Sequence, residues 1–180
     1  TVLVPADVTE TQRMMDAAVA IDGPVYIRLG RLDTNVIFDE DYEFEVGKAS
    51  ALKEGHDLTI MAMGLMVEKA LEAADILKAE GISARVLNMG SIKPIDREAI
   101  EAAAKETGAI VTAEEHSIIG GLAGAVCEVL AETTPAPVEK VGVMDQFGQS
   151  GKALELLEKY NLTTGAIVEA AKKVVARKAK

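Results

Sequence analysis

With 180 residues, 49% of them hydrophobic and 27% charged, the chain can bury a core of ordinary domain size behind a hydrated surface. Aromatics make up only 3% and Trp is absent, so Ala, Val, Leu and Ile must fill that core, which suits helices laid on a parallel sheet better than an aromatic-rich β-sandwich. A formal net charge of −10 argues against nucleic-acid phosphate as a partner, no apolar run approaches the roughly 18 residues of a membrane span, and the single cysteine, Cys127, precludes an intrachain disulfide.

In chain order, TVLV at 1–4 predicts a strand leading to Pro5-Ala6-Asp7. Thr9, with Gln12 three residues on, has the spacing of a capping box. The helix behind it carries Met14, Met15, Ala18 and Val19 on its apolar side and stops near Asp22-Gly23-Pro24. VYIRL at 25–29 is a second strand, ended by Gly30-Arg31. A β-α-β unit of this size is too small to fold alone. Asp33, Asp39, Glu40 and Asp41 then mark a linker over 32–42. Alternation over 43–52 (Phe44, Val46, Ala49, Ala51) reads as a hairpin arm or edge strand.

From Asp57 strands and helices alternate regularly. A strand at 58–63 ends at Gly64, and a helix over 67–78 places Val67, Ala70, Leu71, Ala74 and Leu77 on one face. A strand over 83–89 follows, then a turn at Lys93-Pro94 and a helix capped by Asp96 with Ala99, Ile100, Ala103 and Ala104 inward. Ile110, Val111 and Thr112 form a short buried strand that gives way to the charged cluster Glu114, Glu115, His116. Gly120-Gly121 leads into a helix bearing Leu122, Ala125, Val126, Val129 and Leu130. After Pro135 and Pro137 come a strand at 138–143, the loop MDQFGQSG at 144–151, and two helices. The first of these carries Leu154, Leu157 and Tyr160, the second Ile167, Val168, Ala171, Val174 and Val175. The expected fold class is α/β, a mostly parallel sheet with helices on both faces, preceded by a β-α-β piece. The expected domains are 1–31 and 43–180, joined by the linker 32–42.

Few constellations carry chemistry. His56 and His116 lie far apart and no metal-ligand spacing occurs. Ser117 follows His116 on an extended chain and so points away from it, while Ser150 precedes a helix, where Ser is an ordinary cap. The amides after Gly120-Gly121 would welcome an anion, but Glu114 and Glu115 would repel it, so a tight packing turn is the stronger reading. Cys127 reads as a buried, inert thiol. Lys172, Lys173, Arg177, Lys178 and Lys180 read as a solvated helix end complementing the helix dipole. Arg28 and Arg31 flank Gly30. Arg31 lies past a strand's carboxyl end, where a guanidinium suits a phosphate or carboxylate. Its other reading, an ion pair with Asp33, Asp39 or Glu40, is equally compatible with the spacing. The start at Thr1 rather than Met reads as processing or a fragment.

Six motifs then coincide in order: PADVTET (5–11), GPVYIRLGR (23–31), GHDLTIMAMG (55–64), LNMGSIKPID (87–96), VTAEEHSIIGGLAGAV (111–126) and DQFGQSG (145–151). Together they resemble the C-terminal part of transketolase, particularly the C-terminal subunit of split transketolases. Deoxyxylulose-phosphate synthases and 2-oxoacid dehydrogenase β-subunits share the architecture, and EEHSIIGG with FGQSG favours transketolase.

The resemblance implies a glycolaldehyde transferase of the pentose phosphate pathway, moving a two-carbon ketol unit between phosphorylated sugars in the cytoplasm. Thiamine diphosphate and Mg2+ would sit in the full enzyme at a dimer interface, with none on this chain alone. It implies an N-terminal subunit or domain and a homodimer partner, and neither nucleic acid nor membrane. Residues 1–31 would be the last piece of a pyrimidine-binding domain and 43–180 the transketolase C-terminal domain. Arg31 matches the family arginine that binds substrate phosphate, and no catalytic, cofactor or metal residue is carried over. The Gly-Asp-Gly metal signature is missing from these residues, so the chain alone is expected to be inactive. A stand-alone module binding a ligand or partner near Glu115 and His116 is the reading from another class.

Overall fold

The structure, a computed structural model, describes residues 1–178, so Lys180 of the basic tail lies outside it. Strand β1 (Val2–Leu3) runs into the buried Pro5-Ala6-Asp7 and helix α1 (Val8–Val19). Asp7, rather than Thr9, is the cap: its Oδ1 accepts from the Glu10 amide at 2.8 Å, and Glu10 reaches back to accept from the Ala6 amide at 2.7 Å. The capping box is therefore two residues earlier than the Thr9–Gln12 spacing suggested. Asp7 Oδ2 also accepts from the amides of Ile37 (2.6 Å) and Phe38 (2.8 Å), tying the irregular stretch after residue 31 to the helix start. Asp7→Asn keeps one acceptor oxygen and loses the other. It should cost about 1–2 kcal/mol in urea unfolding, the value of a buried amide left unpartnered.

Strand β2 (Tyr26–Ile27) pairs in parallel with β1, while β3 (Ser50–Lys53) begins the second sheet. Then come β4 (Leu58–Ala62), α2 (Met66–Ala79), β5 (Ala84–Asn88), β6 (Ser91–Lys93), α3 (Arg97–Glu106), β7 (Ile110–Ser117), α4 (Leu122–Glu132), β8 (Val138–Val143), α5 (Ala153–Lys159) and α6 (Thr164–Lys178). The larger sheet has the order β3-β5-β4-β7-β8. β4, β5, β7 and β8 are mutually parallel, and β3 is an antiparallel edge strand, its regular part shorter than the alternation over 43–52. The opening strands stay out of this sheet. β1 and β2 form a separate three-stranded sheet, order β2-β1-β6, whose third strand comes from far beyond the linker.

Period-two alternation divides the buried strands between two cores. Leu58, Ile60 and Ala62 of β4 face α2 and α6, with Val67, Ala70 and Leu77 from the first helix and Ile167, Ala171 and Val174 from the second. Met61 faces the opposite core, with Ile100 and Ala103 of α3 and Leu122, Val126 and Val129 of α4. α2 stops where Gly81, at φ +83°, lets the Ile82 amide return to the Leu77 carbonyl at 2.9 Å. Asp96 caps α3 as its position predicts, accepting from the Ala99 amide at 3.0 Å.

The sequence misplaces two helix faces. Met15 and Val19 are 51% and 85% exposed, because α1 turns Glu10 and Met14 inward. Leu154 is 67% exposed, and α5 is anchored instead by Leu157 and Tyr160. Cys127 is half-buried rather than buried.

Candidate functional site

Parallel pairing brings the carboxyl ends of β4, β5, β7 and β8 to one edge of the sheet, the edge at which an open α/β fold presents groups to ligands. β7 runs through the charged cluster to Ser117 instead of stopping at Thr112, with a register shift against β8 between Ala113 and Ser117. The extension changes what its acidic residues do. Glu114 is fully buried and its carboxylate accepts from the amides of Leu122 (2.7 Å) and Ala123 (2.8 Å) at the start of α4. The amides that a phosphate would need at this helix start are already satisfied by the Glu114 side chain, so the Gly120-Gly121 turn is not an anion cradle. Gly121 is required for close approach, since a Cβ there would lie 2.0 Å from Glu114 Oε2. Burial pushes the Glu114 carboxyl up from its ordinary range; the amides of Ala123 and Leu122, with His116 and Arg28, pull against that shift.

Arg28 leaves the smaller sheet and donates from Nη1 to the Glu115 carbonyl at 2.8 Å, fastening the two sheets together at this edge. The exposed Arg31 lines a cavity of about 660 Å3 with Leu32, Glu115, Lys152, Leu156 and Tyr160 among its walls. Among the described residues Arg31 takes part in no ion pair, so the ion-pair reading with Asp33, Asp39 or Glu40 finds no contact. Tyr160 donates from its hydroxyl to the Phe147 carbonyl at 2.9 Å, holding the 144–151 loop over the same edge.

The two histidines lie at opposite ends of the parallel sheet, His56 before β4 and His116 near the end of β7. His116 Nδ1 stands 2.8 Å from the Ser117 carbonyl oxygen and 3.8 Å from Glu114 Oε2, which gives no nucleophile–base pair. Among the described residues no three His, Cys, Asp or Glu side chains gather in a way that could hold a metal ion. With the α4 amides also occupied, these residues do not fit a Mg2+–diphosphate group.

A second polar centre escaped the sequence reading. Glu10 is wholly buried and accepts from the Ala6 amide, from Asn88 Nδ2 at 2.7 Å and from the Tyr42 hydroxyl at 3.1 Å. Burial raises its carboxyl to about 7 against these three donors, and Asp7 adds to the rise. The Asn88 Oδ1 atom is buried with no hydrogen-bond partner among the described residues. The Asp-x-x-Glu spacing of Asp7 and Glu10 was the available signal, since it is a capping box in its own right.

Comparison with known proteins places these features in a family. The family model described as "Transketolase, C-terminal domain" matches residues 47–167. The 6-deoxy-6-sulfo-D-fructose transketolase subunit SqwH of Clostridium sp. (strain MSTE9) is 48% identical over 99% of this chain and 55% of its own length. A 1-deoxy-D-xylulose-5-phosphate synthase of Heliobacterium modesticaldum is 39% identical over 96% of this chain and 27% of its own. A solved structure described as a split gene transketolase, inactive beta4 tetramer, superposes with a TM-score of 0.95 at 55% identity, covering 98% of this chain and 58% of that one. The chain spans about half the length of the first curated relatives it matches.

Proposed function

We propose, because this chain belongs to the transketolase family through its C-terminal domain, that it supplies the C-terminal part of a split transketolase moving a two-carbon ketol unit between sugar phosphates. Residues 1–31 then close a pyrimidine-binding domain. The partners are an N-terminal subunit and a second copy of this chain, and thiamine diphosphate with Mg2+ is held by groups outside it, supplying the carbanion chemistry. Arg31 binds the substrate phosphate. The observation that carries this reading is a guanidinium without a carboxylate partner among the described residues, lining a cavity at the sheet's carboxyl edge.

The test is reconstitution. The purified chain should turn over nothing by itself and should support ketol transfer when mixed with a complementary N-terminal subunit. In that assembly Arg31→Ala should lower kcat/KM for phosphorylated sugars by about ten- to a hundredfold, the worth of one charge-assisted contact, and leave unphosphorylated analogues nearly unchanged. Equal losses on both would assign Arg31 a structural role. The synthase relatives favour a second reading, in which the assembly makes 1-deoxy-D-xylulose 5-phosphate; assaying that product alongside ketol transfer separates the two.

A further inference from the structure

We infer that Lys152 is the second cation of the Arg31 site, and that the two together make it prefer a doubly charged sugar terminus, phosphate over sulfonate. The inference rests on the reading of Arg31 given above. Arg31 and Lys152 reach the same cavity from opposite parts of the chain, one following the smaller sheet, the other standing immediately before α5. Glu115 is the only carboxylate among the cavity's lining residues, and neither cation is ion-paired with it among the described residues. The lining residues thus set two cations against one carboxylate in a chain whose net charge is −10.

Lys152 does have one partner. Its Nζ lies 3.5 Å from Glu155 Oε1, but the two side chains are 86% and 69% exposed, so water screens the pair and a ligand anion exchanges for it at little cost. Leu156 and Tyr160 line the same cavity and give it an apolar side beside the two cations. Phosphate and sulfonate ends are both tetrahedral and nearly alike in size. Near neutral pH the first carries almost two charges and the second one, so a pair of cations separates them by charge rather than shape.

The experiment uses the reconstituted assembly with three donors: a sugar phosphate, a sugar sulfonate of the same length and a neutral sugar. Lys152→Gln should lower kcat/KM by about fivefold on the phosphate and about twofold on the sulfonate, with no change on the neutral sugar. Lys152→Arg should restore most of the loss. Direct titration of the chain at about pH 8 with methyl phosphate and with methanesulfonate gives a readout independent of turnover. The phosphate should shift the Arg31 and Lys152 side-chain resonances at several-fold lower concentration. A phosphate-to-sulfonate ratio unchanged by Lys152→Gln, with Arg31→Ala still discriminating, overturns the role of Lys152 and leaves that of Arg31 standing. If neither variant discriminates, both fall.

Discussion

Glu114→Ala should lower the unfolding free energy by about 3–4 kcal/mol, read as a shift of the urea midpoint at constant slope. The carboxylate carries the first amides of α4, and both bonds are buried, so its removal leaves the Leu122 and Ala123 donors without partners and opens a void behind β7. The cost of burying a carboxylate is recovered in the variant, which keeps the loss below the sum of two charge-assisted bonds and a cavity. A double-mutant cycle with Gly121 isolates the contact. Gly121→Ala alone forces a methyl to within 2.0 Å of Glu114 Oε2 and should be comparably damaging. In the Glu114→Ala background the clash has lost its closest partner, so the second substitution should cost at least 1 kcal/mol less. Simple additivity would show that Glu114 does not fill that space. The same reasoning ties stability to the site, because Glu114 and Glu115 are neighbours on one strand. One seats the helix behind the sheet, and the other lines the Arg31 cavity.

The sequence made the layered fold legible because a parallel sheet buried on both faces leaves continuous β-branched runs, such as Ile110, Val111 and Thr112, between helices with a regular apolar face. Glycine and aspartate punctuation marked the ends of α2 and the start of α3 for the same local reason. What it concealed were carboxylates doing buried work. Hydrophobic periodicity counts Glu10 and Glu114 as solvent-facing, yet each is 0% exposed and accepts two or more hydrogen bonds from groups distant in sequence or on another element. That error rotated α1, ended β7 early and left the α4 amides looking vacant. The sequence put Arg31 just past a strand running to Leu29; the strand ends at Ile27, and Arg31 follows it in irregular chain that lines the cavity. Its company in the cavity could not be read, because Lys152 arrives from a loop whose path depends on the Tyr160–Phe147 hydrogen bond.

Glu10 should also make stability fall as pH rises through the weakly acidic range. Its carboxyl sits at about 7 in the folded chain against 4.5 as its ordinary value, so between those limits the folded protein holds a proton that the unfolded chain has released. The stabilisation is complete below pH 4.5, declines as pH climbs and is gone above 7. The full swing is about 3 kcal/mol. The titratable groups facing it are Asp7 on its own helical turn and Tyr42 from the segment after the smaller sheet, with the neutral Asn88 amide from β5 completing its surroundings. Glu10→Gln removes the titration and keeps the shape. Its carbonyl can take the Ala6 amide, and its amide can donate to the Tyr42 hydroxyl and, once the Asn88 side-chain amide turns over, to the Asn88 carbonyl oxygen, which has no partner among the described residues. Glu114, whose carboxyl is also raised, and Glu139, held low by Lys173 and Arg177 despite partial burial, titrate in both proteins and cancel in the difference. The unfolding free energy of the wild type minus that of Glu10→Gln should therefore decrease by about 3 kcal/mol between pH 4.5 and pH 7 and stay level on either side. Parallel curves across that window would mean that Glu10 is ionised when folded, its three donors outweighing burial and the nearby Asp7.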